Sequence, residues 1–576
     1  MSVMVEPAVK PWSRSPLLRL LPIVLIAAAV VAVYWPLPGY GYSGFDDEAN
    51  FYGNQWLMPP RWESVVRYWA RPAFALYVPV THTAWVAVAA VAYRDRPVPT
   101  EALPPTLFHC ASIAVHALAA VAAFALLGRL TGSRAAAACG ALLFALHPVQ
   151  VESVAWTSGL KDLLAGMFGL TALWLYVSAA YARAPITAGA DDGGAAAAPP
   201  GPWRARYALA TGCFVLALLS KPSAVVVPVV AAVIDALLVR RPVRTIAAWT
   251  APWLALSAVI AVVGKLVQPG TGLETASLVM RPVVALDALG FYARQVVAPV
   301  TLTIDYGRAP GRLSRFADAY FLWIIPVALA AVAVVTRRRA PWVAAGLGSA
   351  GVFVLPVLGL VKFDFQFYST VSDHYLYAAM VGPALILAFA LARYGNRFAY
   401  PVVAVVLVGL GVRSAVQLRH WESSFTLYTH ALRANPDSLA ANGNLGHIYL
   451  ERSRAARKAG DEAGFSAASD RAIELFQNTL RLAPENAKMH RYLGDAYRTR
   501  GKPLAAIDHY RASLAADPRN GSTYAALAMA LGLAGDLRGA ADAMRQAIEI
   551  DPEIPNARQT LAAIEDQLRA TPAPAR

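Results

Sequence analysis

Ionisable side chains beside apolar runs cost free energy, and this sequence places several of them in short, separate clusters, each a candidate for function. Gly44-Phe45-Asp46-Asp47-Glu48 sets three carboxylates in a row, and Arg71-Pro72 opens a later apolar stretch. His147-Pro148-Val149-Gln150-Val151-Glu152 follows another apolar run, Lys161-Asp162 opens the next, and Ser220-Lys221-Pro222 forms a tight turn. Asp364 and Ser372-Asp373-His374-Tyr375 precede a further run. A positioned carboxylate takes a proton from a hydroxyl, and lysines neutralise a phosphate or a leaving oxyanion. Each cluster also has a structural reading. Asp46-Asp47 fits helix capping in a solvated loop, Lys161-Asp162 a surface pair, Lys221 a snorkelling lysine and His147 a helix cap. His82, His109 and His116 show no metal-ligand spacing and read as packing residues, as do Cys110, Cys139 and Cys213. Walker loop, HExxH, GxSxG and paired CxxC motifs are all missing from the sequence, which removes support for soluble nucleotide, zinc and serine hydrolysis.

These clusters need elements to hold them. The chain has 576 residues, 57% hydrophobic and only 15% charged, with a mean hydropathy of +0.44. That composition excludes a disordered chain, a collagen-like fibre, a disulfide-stapled module and an ordinary cytosolic enzyme. Apolar runs near 17–37, 106–128, 135–147, 161–182, 206–220, 222–239, 246–265, 318–336, 341–361, 374–392 and 398–417 predict about eleven spans. Lys10, Arg14 and Arg19 place the first, uncleaved run with its N-terminus inside. Every loop on that side is then basic, from Arg129 and Arg134 to Arg393 and Arg397. The formal +15 charge therefore orients helices and does not point to nucleic acid. The stretches 73–92 and 284–300 are expected at the interface, and 184–203 is expected to be a flexible linker. Most of the candidate clusters then map to the outer face, as does the C-terminal quarter.

That quarter has a different composition, with 17 Lys+Arg against 17 Asp+Glu over 436–570. Pro436, Pro484, Pro518 and Pro552 recur at intervals of 48, 34 and 34 residues, the first being one period plus a 14-residue insertion near 453–468. Leu445-Gly446, Leu493-Gly494 and Leu527-Ala528 align, as do Ala472…Phe476, Ala506…Tyr510 and Ala540…Met544. Paired helices with small residues at close approaches are the tetratricopeptide pattern. The predicted fold is all-α: a polytopic helical bundle over 1–419, then an α-solenoid over 420–570 of a half-repeat plus three repeats. Its concave groove would hold a peptide or protein segment.

FALHPVQVESVAWTSGLKDLLAG at 144–166, LLSKPSAVVVP at 218–228, SDHYLYAAMVGP at 372–383 and the repeat tail follow the early acidic pair in order. In this order they resemble bacterial relatives of the transmembrane and tetratricopeptide-repeat O-mannosyltransferases, of the GT-C membrane glycosyltransferase fold. The resemblance implies an inverting transferase that moves a sugar from a polyprenyl-phosphate carrier to an acceptor hydroxyl at the outer face of a bacterial inner membrane. Asp46 or Asp47 would be the base. Glu48, Arg71, His147, Glu152, Lys161, Asp162, Lys221, Asp373, His374 and Tyr375 would bind substrate or carrier. It implies no resident cofactor, with the lipid-linked sugar as substrate and a divalent metal left open. Relatives commonly carry Arg where this chain has His374, which replaces a permanent cation with a titrating one. The alternative is a non-enzymatic membrane scaffold whose repeats recruit envelope proteins. A transporter fits less well, because the charges gather at one face.

Overall fold

The computed structural model describes residues 16–93, 103–183, 202–267 and 276–570, and among these the chain is helical, with one isolated bridge between Ala73 and Leu76 and no strand. Lys10, Arg14 and nearly all of the expected linker lie outside the described residues. The helices form two compact units, Met1–Leu427 and Tyr428–Arg576, which divide inside the helix Ser424–Ala434.

In the first unit each of the eleven expected runs falls on a helix, and among the described residues seven helices are long and apolar enough to cross a membrane by length and composition. Arg134–Leu146 and Val381–Tyr394, of 13 and 14 residues, span only about 20 Å each. Gly132 (φ +69°) and the Ser133 cap on the Ala136 amide turn Thr106–Thr131 back into Arg134–Leu146. Leu160–Arg183 packs between Thr106–Thr131 and Trp203–Ser220, and Val381–Tyr394 closes on Arg134–Leu146 and Pro341–Val354. Other helices present apolar side chains outward. Ile324–Thr336 buries none of its residues, and Val402, Val405, Val408 and Val412 are exposed along Ala399–Leu418.

One expectation for this unit changes and two gain detail. The run expected at 374–392 begins its helix only at Val381, because 373–376 form a separate tight turn. The stretch at 73–92 is half-buried: Pro79–Tyr93 packs His82 on the Tyr68 ring at 4.2 Å, and Thr81 donates to the Ser220 carbonyl. Arg281–Val297 carries a buried Asp287, so its inward face is polar and paired as well as packed. Cys110 is exposed, while Cys139 and Cys213 are half-buried.

The second unit is a stack of helical hairpins: Leu439–Ala459 with Glu462–Leu482, Ala487–Thr499 with Pro503–Ala516, and Gly521–Leu533 with Leu537–Ile550, followed by Ala557–Ala570. The 14-residue insertion lengthens both helices of the first hairpin. They run 21 residues each, against 13 and 14 in the next pair, with the turn at Gly460. The aligned leucines, alanines and aromatics are the core residues of the stack. At Gly494 a Cβ would lie 2.7 Å from the Tyr510 ring, and at Gly446 it would lie 2.7 Å from Phe476. Ala528 stands at this position in the third hairpin, where Met544 replaces the aromatic ring.

Gly494→Val is therefore expected to destabilise its hairpin by about 1–3 kcal/mol through overpacking. Gly532→Ala, where a Cβ meets nothing within 4 Å, should be neutral or stabilising. Hydrogen exchange of the intact chain reads both: faster exchange across 487–516 in the first variant and no loss of protection across 521–550 in the second.

Candidate functional site

The acidic loop is built first. Gly44 (φ +77°) and Phe45 (φ +51°) turn the chain sharply, and a phenylalanine in that region is strained. Two contacts hold it there: the Phe45 ring packs edgewise on Trp156 at 6.1 Å, and Asp47 anchors the loop. Asp47 Oδ2 accepts from the Ser43 amide (3.0 Å) and hydroxyl (2.8 Å), and Oδ1 accepts from Ser158 Oγ (2.8 Å). Asn50 donates to the same Ser158 oxygen. Asp47 is fully buried, and burial pushes its carboxyl up to about 6 against the pull of those donors. Asp46 differs in every respect. Its side chain is 57% exposed and stands 3.9 Å from Lys161 Nζ. Glu48 is exposed in the turn that follows.

Gly159 lets the segment after Glu152 fold tightly, since a Cβ there would meet the Ser153 carbonyl at 2.4 Å. That turn delivers Lys161 and Asp162 at the start of Leu160–Arg183. Lys161 Nζ lies over the Trp156 ring at 4.7 Å. Lys221, where Trp203–Ser220 ends before Pro222, is ion-paired to Asp162 Oδ1 and stands 5.4 Å from the Tyr375 ring centre. Burial pulls the Lys221 ammonium down, Asp162 opposes that shift and Lys161 adds to it. Asp162 Oδ2 is buried with no hydrogen-bond partner. Asp162, Lys221, His374, Tyr375 and Tyr377 line a cavity of about 40 Å³ closed by Val357 and Phe353.

Glu152 organises the remaining side. Its Oε1 accepts from Ser372 Oγ (2.8 Å) and lies 2.7 Å from His374 Nδ1, while Oε2 accepts the amides of Asp373 (3.0 Å) and His374 (3.3 Å). His374 is therefore tied to a carboxylate and lies 5.5 Å from the Trp156 ring centre. Asp373 points the other way, accepting from Tyr306 at 2.8 Å, and burial with Glu152 beside it holds its carboxyl well above the usual range. Tyr375 is likewise raised well above its ordinary value by burial, with Tyr292, Asp162, Glu152 and Asp46 all adding to it.

Thus Asp46, Glu152, Lys161, Asp162, Lys221, His374 and Tyr375 come together, Asp47 and Asp373 support the group from behind, Glu48 is left exposed to solvent, and two further residues stand apart. His147 spends Nε2 on the Val296 carbonyl (3.0 Å) and Nδ1 on the Val149 amide (3.4 Å), and burial lowers it to about 4. Arg71 lines a separate cavity of about 410 Å³ with Trp56, Trp62, Glu63, Val66 and Arg67. The side chain of Asp364 lies outside the described ones. Sequence reasoning missed Tyr306 and the segment that carries it. Residues 302–309 are buried and irregular, clamped by the buried Arg308 between Asp287 and Asp318 and by Gln417 on the Leu302 carbonyl. Two adjacent signals, Asp305-Tyr306 and Arg308 after an apolar run, could have marked it.

Comparison with known proteins reaches the second unit. Two tetratricopeptide-repeat family profiles match, over residues 457–521 and 521–554, so the chain carries these repeats at its C-terminal end. No curated protein matches the chain. Among solved structures, MamA is similar at 21% identity, covering 25% of this chain and 77% of that one, with a TM-score of 0.22. TTC0263, a thermophilic tetratricopeptide-repeat protein of Thermus thermophilus, is 19% identical over 32% of this chain and 90% of its own, with a TM-score of 0.23. The first such domain of Spaghetti (RPAP3), bound to the HSP90 peptide SRMEEVD, is 18% identical over 22% and 98%, with a TM-score of 0.19. None of these matches supports a glycosyltransferase relationship. The firm result is an all-helical chain that ends in a tetratricopeptide-repeat unit, a module type that supports a protein-interaction role.

Proposed function

We propose that this chain is a membrane-embedded glycosyltransferase of the GT-C kind. It would move a sugar from a polyprenyl-phosphate carrier to an acceptor hydroxyl at the outer face, with its repeats holding the acceptor protein. One observation carries this reading: carboxylates and lysines from four separate segments, around 46, 152–162, 221 and 372–375, converge beside one cavity. An anchor has no use for that convergence, and each buried charge in it costs free energy unless it is used or paired.

In this reading Asp46 is the base. It is the exposed member of the pair, while both oxygens of Asp47 are already occupied. Asp46 takes the acceptor proton as the hydroxyl oxygen bonds to the anomeric carbon. The bond from that carbon to the phosphate oxygen breaks, and the carrier phosphate leaves with the electron pair. Lys161 and Lys221 offset the charge that develops there. His374, bound to Glu152, shapes the cavity wall, so the cation that relatives carry at its position is supplied here by the two lysines. The exposed apolar helices and the seven of spanning length support a bilayer setting, and the basic loops of the sequence would put the site and the repeats on its outer side. A second reading, a membrane-anchored scaffold without catalysis, is favoured by the repeat matches.

Asp46→Asn separates the two. Its side chain is 57% exposed, so the fold should be kept while transfer falls at least about a hundredfold. Intact-mass profiles of envelope proteins and lipids would be compared between cells with the native gene, this variant and no gene. A native profile for the variant, beside a changed one for the deletion, would leave the scaffold reading alone standing.

Asp47 gives a pH test that does not depend on turnover. Its folded carboxyl titrates near 6 and its unfolded one near 4, so the native state holds the extra proton between these values. Stability should therefore fall as pH rises from about 4 to 6, by an amount of order 2–3 kcal/mol, and level off above. Asp47→Asn should flatten that slope. Thermal unfolding across the window checks it, and an unchanged slope would place the titrating group elsewhere.

A further inference from the structure

The balanced charge of the repeat unit conceals a segregation by helix. Successive first helices of the hairpins pack on one another, whereas the second helices approach less closely, so the first helices line the tighter, inner side of the stack. Leu439–Ala459 and Ala487–Thr499 together carry seven Lys+Arg against two Asp+Glu. Their partners Glu462–Leu482 and Pro503–Ala516 carry three against four. The third first helix, Gly521–Leu533, carries no charge and exposes Met529 and Leu533 one turn apart.

At the centre of the inner face a single carboxylate serves three guanidiniums. Asp495 lies 3.4 Å from Arg491, 3.8 Å from Arg454 and 4.0 Å from Arg498, and Tyr510 donates to its Oδ1 at 2.7 Å. Arg454 reaches this position only because the insertion lengthens its helix, and Arg457 in the same added turns bonds the Thr499 carbonyl. Each guanidinium has five donors and one carboxylate has about four acceptor sites, one of them taken by Tyr510, so Asp495 cannot satisfy all three guanidiniums, each of which keeps part of its side chain exposed. Lys488 and Arg491 both lie over the Tyr492 ring, at 5.6 and 4.5 Å. Counting Glu451, which pairs with Arg454, four cations face two carboxylates across this patch.

We propose that this inner face binds an acidic peptide segment: carboxylates on Arg454, Arg491 and Lys488, then an apolar residue on Met529 and Leu533. Charge complementarity sets the sign of the ligand, and the uncharged third helix sets what must adjoin the acidic run. The inference rests on the repeat unit being a protein-binding surface and does not depend on the transfer chemistry.

The test uses the full-length protein in detergent and fluorescence anisotropy of labelled peptides: glutamates followed by leucine and phenylalanine, glutamates alone, and lysines followed by the same pair. The first should bind tightest, and raised salt should weaken it. Arg454→Glu with Arg491→Glu should lower its affinity at least about tenfold. Arg511→Glu, the same reversal on the exposed side of Pro503–Ala516, should change nothing. Met529→Ser should weaken the first peptide and spare the glutamate-only one. Equal binding of acidic and basic peptides, or equal effects of the two reversals, would overturn the acidic assignment alone. Tighter binding of an oligonucleotide of matched charge would overturn it in favour of a phosphate polymer. No binding of any peptide would overturn the surface reading itself.

Discussion

Glu152 accepts from a turn some 220 residues further along the chain, and the polar side of the first unit is arranged around that contact. Two backbone amides, a serine hydroxyl and an imidazole share its two oxygens. A buried carboxylate is tolerable only when donors of this quality replace water. The turn needs the carboxylate as much: without it the amides of Asp373 and His374 would be buried and orphaned, each a loss of about 1–3 kcal/mol. Once the turn is fixed, Tyr375 lies beside Lys221 and Asp373 meets the Tyr306 hydroxyl. Tyr306 in turn holds an irregular buried segment that Arg308 braces against Asp287 and Asp318. The dependence runs outward from one carboxylate through three loops.

The same economy separates two neighbouring aspartates that the sequence presents as equivalents. Asp47 faces inward, spends both oxygens and holds Phe45 in a left-handed conformation that the residue would not choose. Asp46 is thereby turned outward toward Lys161. Strain at one residue and full satisfaction at another leave the third free to react, a division that suits a proposed base. Had both carboxylates been buried together, each would have raised the other, and neither would face a substrate.

How much of this was legible follows from the range of each interaction. The repeat period, the Leu-Gly and Ala…aromatic positions and the helical runs are local patterns, and the helices and the repeat core lie where those patterns indicate. The 14-residue insertion was visible as a count, but its form was not. Only the structure divides it between two antiparallel helices, because extending both by two turns keeps their faces paired, where a loop would strand its backbone groups. The clusters at 46–48, 152, 161, 221 and 373–375 were visible as misplaced polarity. That Glu152 is a clamp and that His147 bonds the Val296 carbonyl depends on partners 149 to 222 residues away, which no spacing rule reaches. The segment 301–309 has no periodicity, so its Tyr306 and Arg308 gave only an isolated signal.

Net charge fails in the repeat unit for a related reason. Equal numbers of acids and bases suggest a neutral, indifferent surface, yet charge acts over about a Debye length, roughly 8–10 Å, and not over a domain. Seven cations against two acids on two first helices, with turn residues such as Asp437, Asp461, Glu485, Asp517, Asp536 and Asp551 restoring the balance, leave the sum at zero while giving one face a sign. The sorting cannot be placed on a face until the curvature of the stack shows which helices lie inside. Asp495 then reads differently from an ordinary ion-pair partner: buried and bonded to Tyr510, it holds three guanidiniums in place while cancelling only one of them. Removing Asp495 would let the arginines repel one another apart, while Glu451 pairs with Arg454 at the edge and still leaves the cations in excess. Fewer carboxylates than cations is the composition that keeps a charged surface both ordered and available.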